Sequence, residues 1–332
     1  MAKIAINGLG RIGRATLKII MDNPQLDLIA INDLVSPENL AYLLKYDSAY
    51  GQYEKDVRVE ANSLMIGDST IRVLNIKDPA ELPWKDMGID IVIESTGIFT
   101  NAEGVQKHLQ AGAGYAILSA PPKSDGMPTI VPGVNASGED DKMFSTASCT
   151  TNCITPVFEI MARRIGVSKA LMTTVHAYTS SQSIVDGPAK KYRRGRAAAL
   201  NFVPTTTGAA KATTKVLPDF EGRFDGIAIR GPVPVGSIAD LTFLTQKETS
   251  VDQINNIFRE ESKSSRYEGV LGVTEDPLVS SDIIKDPRAS IVDLTMTTVV
   301  DGDLVKILSW YDNEWGYAAQ MVREAAAIAR RI

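Results

Sequence analysis

The stretch Ser145-Thr-Ala-Ser-Cys-Thr-Thr-Asn-Cys153 holds both cysteines of the chain. Two thiols four residues apart suit a metal clip, a disulfide or a nucleophile with a quiet neighbour, and the spacing alone leaves all three open. The rest of the inventory separates them. The chain has two histidines, His108 and His176. With two cysteines they do not make a structural zinc site at this spacing, so no metal is expected. Two cysteines in 332 residues do not build a disulfide framework, which favours a reducing, cytoplasmic setting. A nucleophile remains. Cys149 follows a strand-like run at 143–147 and precedes a helical pattern at 154–161. A thiol near a helix start is expected to have a lowered pKa, and the free amides there can hold an oxyanion. Cys153, one turn deeper, reads as a small buried residue. His176 lies near the end of a strand pattern at 169–178, where it could pair with Cys149 as general base and acid. A hydrogen-bonded core histidine is the competing reading.

Such chemistry needs a scaffold, and the first half of the chain supplies one. A short apolar strand at 3–7 runs into Gly8-Leu-Gly10-Arg-Ile-Gly13, and a helical pattern through Ile12, Ala15, Thr16, Ile19 and Ile20 follows. The three glycines suit a tight turn, backbone approach to a pyrophosphate and close helix–strand packing. The pyrophosphate would sit on the helix N-terminus. The next strand ends at Asp33, 20 residues beyond Gly13, where an acid would meet the adenosine ribose and repel a 2′-phosphate. NAD is therefore expected over NADP. Further strands at 90–95 and 115–119 flank a helix at 102–111, with Thr96, Gly97 and Ser119 at strand ends. The order implies a parallel, doubly wound sheet. His108, inside that helix, is read as a surface or packing residue.

Beyond residue 150 the texture changes. A polar segment at 179–195 carries Lys190, Lys191, Arg193 and Arg194, a helix pattern covers 208–216, and strand-like runs follow at 226–229, 238–245, 291–300 and 304–311. Neighbouring strands with few helices suggest a mixed or antiparallel sheet. Residues 317–332 read as an alanine-rich closing helix. The expected fold is α/β: a Rossmann domain over 1–148 with the C-terminal helix, 315–332, returning to it, and an α+β catalytic domain over 149–314. A net charge of −5 argues against a nucleic-acid surface, and no apolar run of membrane-spanning length exists. The amino terminus enters a strand at once, leaving no room for a signal peptide.

A cysteine beside a nicotinamide can attack an aldehyde, lose hydride from the adduct and hold the acyl group as a thioester. Ser148, Thr150, the run Thr205-Thr-Thr-Gly208, Arg194 and Arg230 are donors suited to phosphate. The basic residues at 190–196 also read as a solvated loop or a subunit contact.

Taken together, the chain resembles the glyceraldehyde-3-phosphate dehydrogenase family over essentially its whole length. The resemblance rests on Ile6-Asn-Gly-Leu-Gly-Arg-Ile-Gly-Arg14, Ala147-Ser-Cys-Thr-Thr-Asn-Cys153, Thr173-Thr-Val-His-Ala-Tyr178, Arg196-Ala-Ala-Ala-Leu200, Thr207-Gly-Ala-Ala-Lys211, Thr274-Glu-Asp-Pro-Leu-Val-Ser-Ser281 and Ser309-Trp-Tyr-Asp-Asn-Glu-Trp-Gly-Tyr317. It implies a glycolytic enzyme with Cys149 as nucleophile and His176 as its activating partner. It implies NAD contacts from Gly8, Gly10, Arg11, Ile12, Gly13, Asp33, Lys77, Ser119, Asn313 and Tyr317. Thr179 and Arg230 would hold the phosphate of glyceraldehyde 3-phosphate. Ser148, Thr150, Thr207 and Gly208 would hold attacking inorganic phosphate, with Arg194 nearby. It also implies a homotetramer in which 179–195 reaches a neighbouring cofactor. Three positions depart from the family's pattern: Thr146 stands for Asn, Gly195 for Ala, and Gly-Pro-Val-Pro-Val-Gly follows Arg230 in place of a Val-Pro-Thr run. The last bears on the substrate phosphate site and keeps erythrose-4-phosphate dehydrogenase as the rival enzyme. A non-catalytic, redox-sensing protein on the same fold is the rival from another class.

Overall fold

The computed structural model describes residues 1–332, which divide into two compact units. The first comprises residues 1–130, 137–147 and 318–332; the second comprises 131–136 and 148–317.

The first unit is built on an eight-stranded sheet. Its order is Met143–Ser145, Tyr115–Leu118, Ile91–Glu94, Ala2–Asn7, Leu26–Asn32, Ser69–Leu74, Ser63–Ile66 and Val57–Glu60. The first six strands pair in parallel. Their central members are buried on both faces, as Ile4, Ala5, Ile6, Val92 and Ile93 show. Continuous apolar runs of that kind are what a helix-covered parallel sheet requires. The last two strands run antiparallel and form an extension that the sequence reading did not anticipate. Their alternating, half-exposed residues carry too little apolar signal to stand out. The nucleotide-type helix Arg11–Ile20 follows the first strand directly, and Pro37–Lys45 begins on a Ser36 cap. Met321, Val322, Ala325 and Ile328 of the closing helix, Trp315–Ala329, lie in this unit's core.

The second unit holds a mixed seven-stranded sheet. Its order is Val203–Thr206, Phe224–Gly231, Val167–Ala177, Ser237–Thr245, Leu304–Tyr311, Ser290–Val300 and Leu271–Thr274. The helix Cys149–Arg164 packs on it, burying Ile154, Val157, Phe158 and Met161. Phe158 anchors the helix among Phe220, Phe224 and Phe243, with ring centroids 4.6, 4.7 and 5.3 Å away. Emptying such a site by substitution to alanine costs about 3–5 kcal/mol. At the helix's far end Arg163 and Arg164 both pair with Glu261. The helix that presents Cys149 is therefore held along its length, so its first turn is a fixed platform.

Candidate active site

Cys149 is the first residue of its helix. Ser148 caps that helix, its hydroxyl accepting from the Thr151 amide at 3.2 Å, and no acid occupies the first turn. Nothing anionic from the helix start therefore opposes a thiolate there. His176 comes from the end of Val167–Ala177, and its Nε2 lies 3.3 Å from Cys149 Sγ. The two candidates for nucleophile and base are thus in direct contact.

The other ring nitrogen meets two groups of opposite demand. Nδ1 is 2.7 Å from the Ala177 carbonyl, which can only accept, and 2.5 Å from Arg230 Nη1, which can only donate. With the proton on Nδ1, the ring bonds to the carbonyl and leaves Nε2 free to take the thiol proton. With the proton on Nε2, the guanidinium satisfies Nδ1. Arg230 also donates to the same carbonyl at 3.1 Å, so that oxygen keeps a partner in both tautomers. Burial, reinforced by the Arg230 charge, pushes His176 down to about 3, so the ring is neutral at neutral pH and one of its nitrogens is open to a proton.

The thiol departs from expectation. Burial raises Cys149 above its ordinary value, although the Arg230 charge and the backbone amides of the helix start act in the opposite direction. Proximity to a helix start does lower a thiol, but removal from water outweighs it here. The resting pair is therefore thiol and neutral imidazole, and ionisation belongs to the step in which the proton moves. Cys153 matches its quiet reading: it is fully buried, contacts Ser309 and Ser290, and burial pushes it up to about 12.

Thr150 is turned inward. Its hydroxyl bonds Tyr311 Oη at 2.9 Å, and Tyr311 bonds Thr174 at 2.8 Å. Thr174 in turn donates to the Ile238 carbonyl at 3.2 Å, which directs the chain of donors away from Thr150. This buried relay, with Tyr311 edge-on to the His176 ring, was not read from the sequence. A tyrosine in an apolar strand looks like core until its hydroxyl is seen to have partners.

Burial holds the Arg230 pKa below its usual value against the opposing influence of Cys149 and Tyr311, and the Arg194 charge adds a smaller push in the same direction as burial. Arg194 donates to Thr205 Oγ1 at 3.0 Å and to the Thr206 carbonyl at 3.4 Å. Thr207 Oγ1 accepts from the Ala209 amide, with Gly208 exposed at the start of Ala209–Val216. Thr179 is half-buried and its hydroxyl pairs with Ser181. Two clustered cations with hydroxyls and a helix start are chemistry for anionic oxygens.

Asn313 and Tyr317 are buried in this same unit. Asn313 Oδ1 accepts from the Gly236 amide at 3.1 Å and from Ser237 Oγ at 2.9 Å. Both lone-pair directions are used, so the NH2 is the part of this amide left to bind a ligand acceptor. Gly236 stands at φ +92, and a Cβ there would lie 2.3 Å from the Ser280 carbonyl, so a glycine is what lets this amide reach Asn313.

In the first unit, a Cβ on Gly8 (φ +93) would lie 2.6 Å from Thr96 N, and one on Gly13 would lie 2.1 Å from the Gly8 carbonyl. Gly10 starts the helix with extended backbone, no capping side chain and open space where a Cβ would point. A helix start with no capping side chain and with open space beside Gly10 is what a pyrophosphate needs, so the cradle fits a dinucleotide. Asp33 accepts from the Leu9 amide at 2.7 Å and the Val35 amide at 3.0 Å, which fixes its carboxylate at the strand end. Arg11 pairs with Asp47 at 2.5 Å, Ile12 packs on the core, Lys77 is exposed, and Ser119 is half-buried beyond its strand. Of the two readings for His108, packing is the one that holds: it is fully buried against Trp84 and Glu94. No group of metal-binding residues is present.

Comparison with known families gives two matches. Residues 2–102 match the glyceraldehyde 3-phosphate dehydrogenase NAD binding domain, and 148–313 match the C-terminal domain of the same family. The chain is 46% identical to a glyceraldehyde-3-phosphate dehydrogenase of Zymomonas mobilis, covering 99% of each. It is 46% identical to that of Borreliella burgdorferi, with 99% of this chain and 100% of the relative covered. It is 43% identical to glyceraldehyde-3-phosphate dehydrogenase 1 of Bacillus subtilis, covering 99% and 98%.

Proposed function

The chain belongs to the glyceraldehyde-3-phosphate dehydrogenase family, and we propose that Cys149 is its nucleophile and His176 its base and acid. The enzyme is an NAD-dependent oxidoreductase that converts glyceraldehyde 3-phosphate and inorganic phosphate to 1,3-bisphosphoglycerate. The observation that carries the assignment of roles is the 3.3 Å contact between Cys149 Sγ and the neutral His176 ring.

Cys149 Sγ forms a C–S bond to the aldehyde carbon while His176 Nε2 takes the thiol proton. The carbonyl oxygen becomes the hydroxyl of a thiohemiacetal by receiving that proton. His176 then removes the hydroxyl proton as the C–H bond breaks, leaving a thioester on Cys149. NAD, when bound, accepts the hydride. A phosphate oxygen then bonds to the thioester carbon, the C–S bond breaks, and Cys149 leaves as thiolate and is reprotonated by His176. Arg230 beside the ring opposes an imidazolium, which keeps the ring's affinity for the proton low enough to hand it on. Arg230 with Thr179 is assigned to the substrate phosphate, and Ser148, Thr207 and Gly208 with Arg194 to the attacking phosphate. Thr150 is assigned to the same site through its place beside Cys149, with its hydroxyl committed to Tyr311.

Gly8, Gly10, Arg11, Ile12 and Gly13 would hold the dinucleotide backbone, with Asp33 on the adenosine ribose and Lys77 and Ser119 further along. Asn313 and Tyr317 are assigned to the nicotinamide end. The outer face of the second unit's sheet exposes Leu171, Val175, Ile227 and Leu304, an apolar surface suited to another copy of the chain. This supports a homotetramer. No helix is long and apolar enough to cross a membrane, and both cysteines are free thiols; the free thiols support a reducing cytoplasm.

Initial rates of reduced-cofactor formation test these assignments. Glyceraldehyde 3-phosphate with NAD is expected to outrun both erythrose 4-phosphate with NAD and glyceraldehyde 3-phosphate with NADP. Asp33→Ala is expected to raise kcat/KM for NADP at least tenfold by removing a repulsion of about 1.4 kcal/mol or more. A preference for the four-carbon sugar, or no gain with NADP, would overturn the corresponding assignment.

A further inference from the structure

A fully buried carboxylate sits under the dinucleotide cradle, and the mechanism above does not use it. Glu94 ends the strand Ile91–Glu94 and has no solvent exposure. A buried carboxylate is costly unless its lone pairs are occupied. Here they are. Oε1 accepts from the Thr96 amide at 2.8 Å and the Thr96 hydroxyl at 2.5 Å. Oε2 accepts from Asn7 Nδ2 at 2.6 Å and lies 2.9 Å from His108 Nε2. His108 Nδ1 accepts from Trp84 Nε1 at 3.1 Å, so the ring's single proton is on Nε2 and is donated to Glu94. The two oxygens of Glu94 thus accept from four donors, none of them a cation.

Two of its partners lead to the cradle. Asn7 precedes Gly8, and its Oδ1 accepts from Asn32 Nδ2 at 2.7 Å. Asn32 precedes Asp33 and bonds both the amide and the carbonyl of Ile76 at 2.9 Å. Thr96 precedes Gly97, and its hydroxyl accepts from the Ile98 amide at 3.1 Å. Ser95 Oγ donates to the Gly8 carbonyl at 2.6 Å, which stacks the glycine turn on the segment Glu94 orders. The third side chain, His108, leads the other way, to Trp84 in the core behind the sheet.

We propose that Glu94 is a positioning residue for NAD: its carboxylate holds the ends of three parallel strands and the turn after Glu94 in the binding-competent arrangement before the dinucleotide arrives. It touches no cofactor atom. Its effect is preorganisation, which lowers the ordering that binding must otherwise supply. Glutamine has the same shape but one acceptor oxygen and one donor nitrogen, so either amide orientation sets an N–H against two donors.

The inference rests on NAD binding by the first unit, and calorimetric titration of the wild-type protein with NAD checks that separately. Glu94→Gln is expected to weaken NAD at least tenfold in the same titration. KM for NAD should rise equally, while kcat at saturating NAD and KM for the aldehyde stay within twofold. His108→Phe removes the donor on the side away from the cradle. It is expected to lower Tm at least as much as Glu94→Gln, yet leave NAD affinity within twofold of wild type. Unchanged NAD affinity in Glu94→Gln, or an equal loss in His108→Phe, would reduce Glu94 to a structural residue. Should Glu94→Gln not fold, Thr96→Val keeps the carboxylate and the side-chain shape but deletes one donor. A rise of threefold or more in the NAD dissociation constant supports the proposal, and an unchanged constant overturns it.

Discussion

Cys149→Ser is expected to lower kcat by at least ten-thousandfold, about 5.4 kcal/mol of transition-state stabilisation. The substitution is nearly isosteric, so the helix start, its Ser148 cap and the contact with His176 should persist. What it removes is a nucleophile whose proton a neutral imidazole can accept. A serine hydroxyl is far less acidic than even a thiol raised by burial, and the resulting acyl group would be an ester, which phosphate displaces poorly. The measurement is steady-state reduction of NAD, with mass spectrometry of the protein after exposure to glyceraldehyde 3-phosphate and NAD without phosphate. Wild type should carry the acyl group on the peptide containing Cys149, and the variant should carry none there. Turnover within tenfold of wild type would remove Cys149 from its role.

His176→Asn is expected to lower kcat by about a hundred- to ten-thousandfold, the range for loss of a positioned general base and acid. Its NAD affinity should stay close to wild type. The structure gives a second readout. Because Cys149 rests as a thiol beside the neutral ring, alkylation by iodoacetamide at neutral pH depends on proton transfer to Nε2. The variant's alkylation rate should therefore fall at least tenfold at pH 7. It should recover as pH is raised and bulk hydroxide takes over. An alkylation rate equal to wild type at pH 7 would mean that the ring does not take the thiol's proton.

The parts of this site that were legible in the sequence share a property: their evidence is local. Gly8, Gly10 and Gly13 sit between a strand and a helix, and their close approaches follow from that junction. Asp33 lies at a fixed distance along the same unit. Cys149 and His176 were brought together by scarcity, since a chain with two histidines offers few partners for a nucleophile. Long-range contacts were not legible. Nothing in the local pattern says that Asn7, Asn32, Glu94 and His108 meet in one buried cluster, because strand order, not sequence order, brings them together. Tyr311 was hidden for the same reason, its hydroxyl partners lying 161 and 137 residues away. The antiparallel extension at 57–66 was missed because its alternation is short and half-solvated.

Burial also reversed one expectation. A helix start argues for a lowered thiol, and that argument can be made from sequence. How much water reaches the sulfur cannot, and here desolvation is the larger influence. Among the influences that lower the thiol, the Arg230 charge ranks ahead of the helix-start amides. The Gly236 segment is a smaller case. In the fold its glycine brings an amide to Asn313 beside the Ser237 hydroxyl.

The central claim, that an acyl group on Cys149 is released by phosphate, is tested most directly by following NADH formation from glyceraldehyde 3-phosphate and NAD with and without inorganic phosphate. Without phosphate a burst of about one NADH per subunit is expected and then near-arrest, with turnover resuming when phosphate is added. Sustained turnover at the same rate whether or not phosphate is present would contradict it.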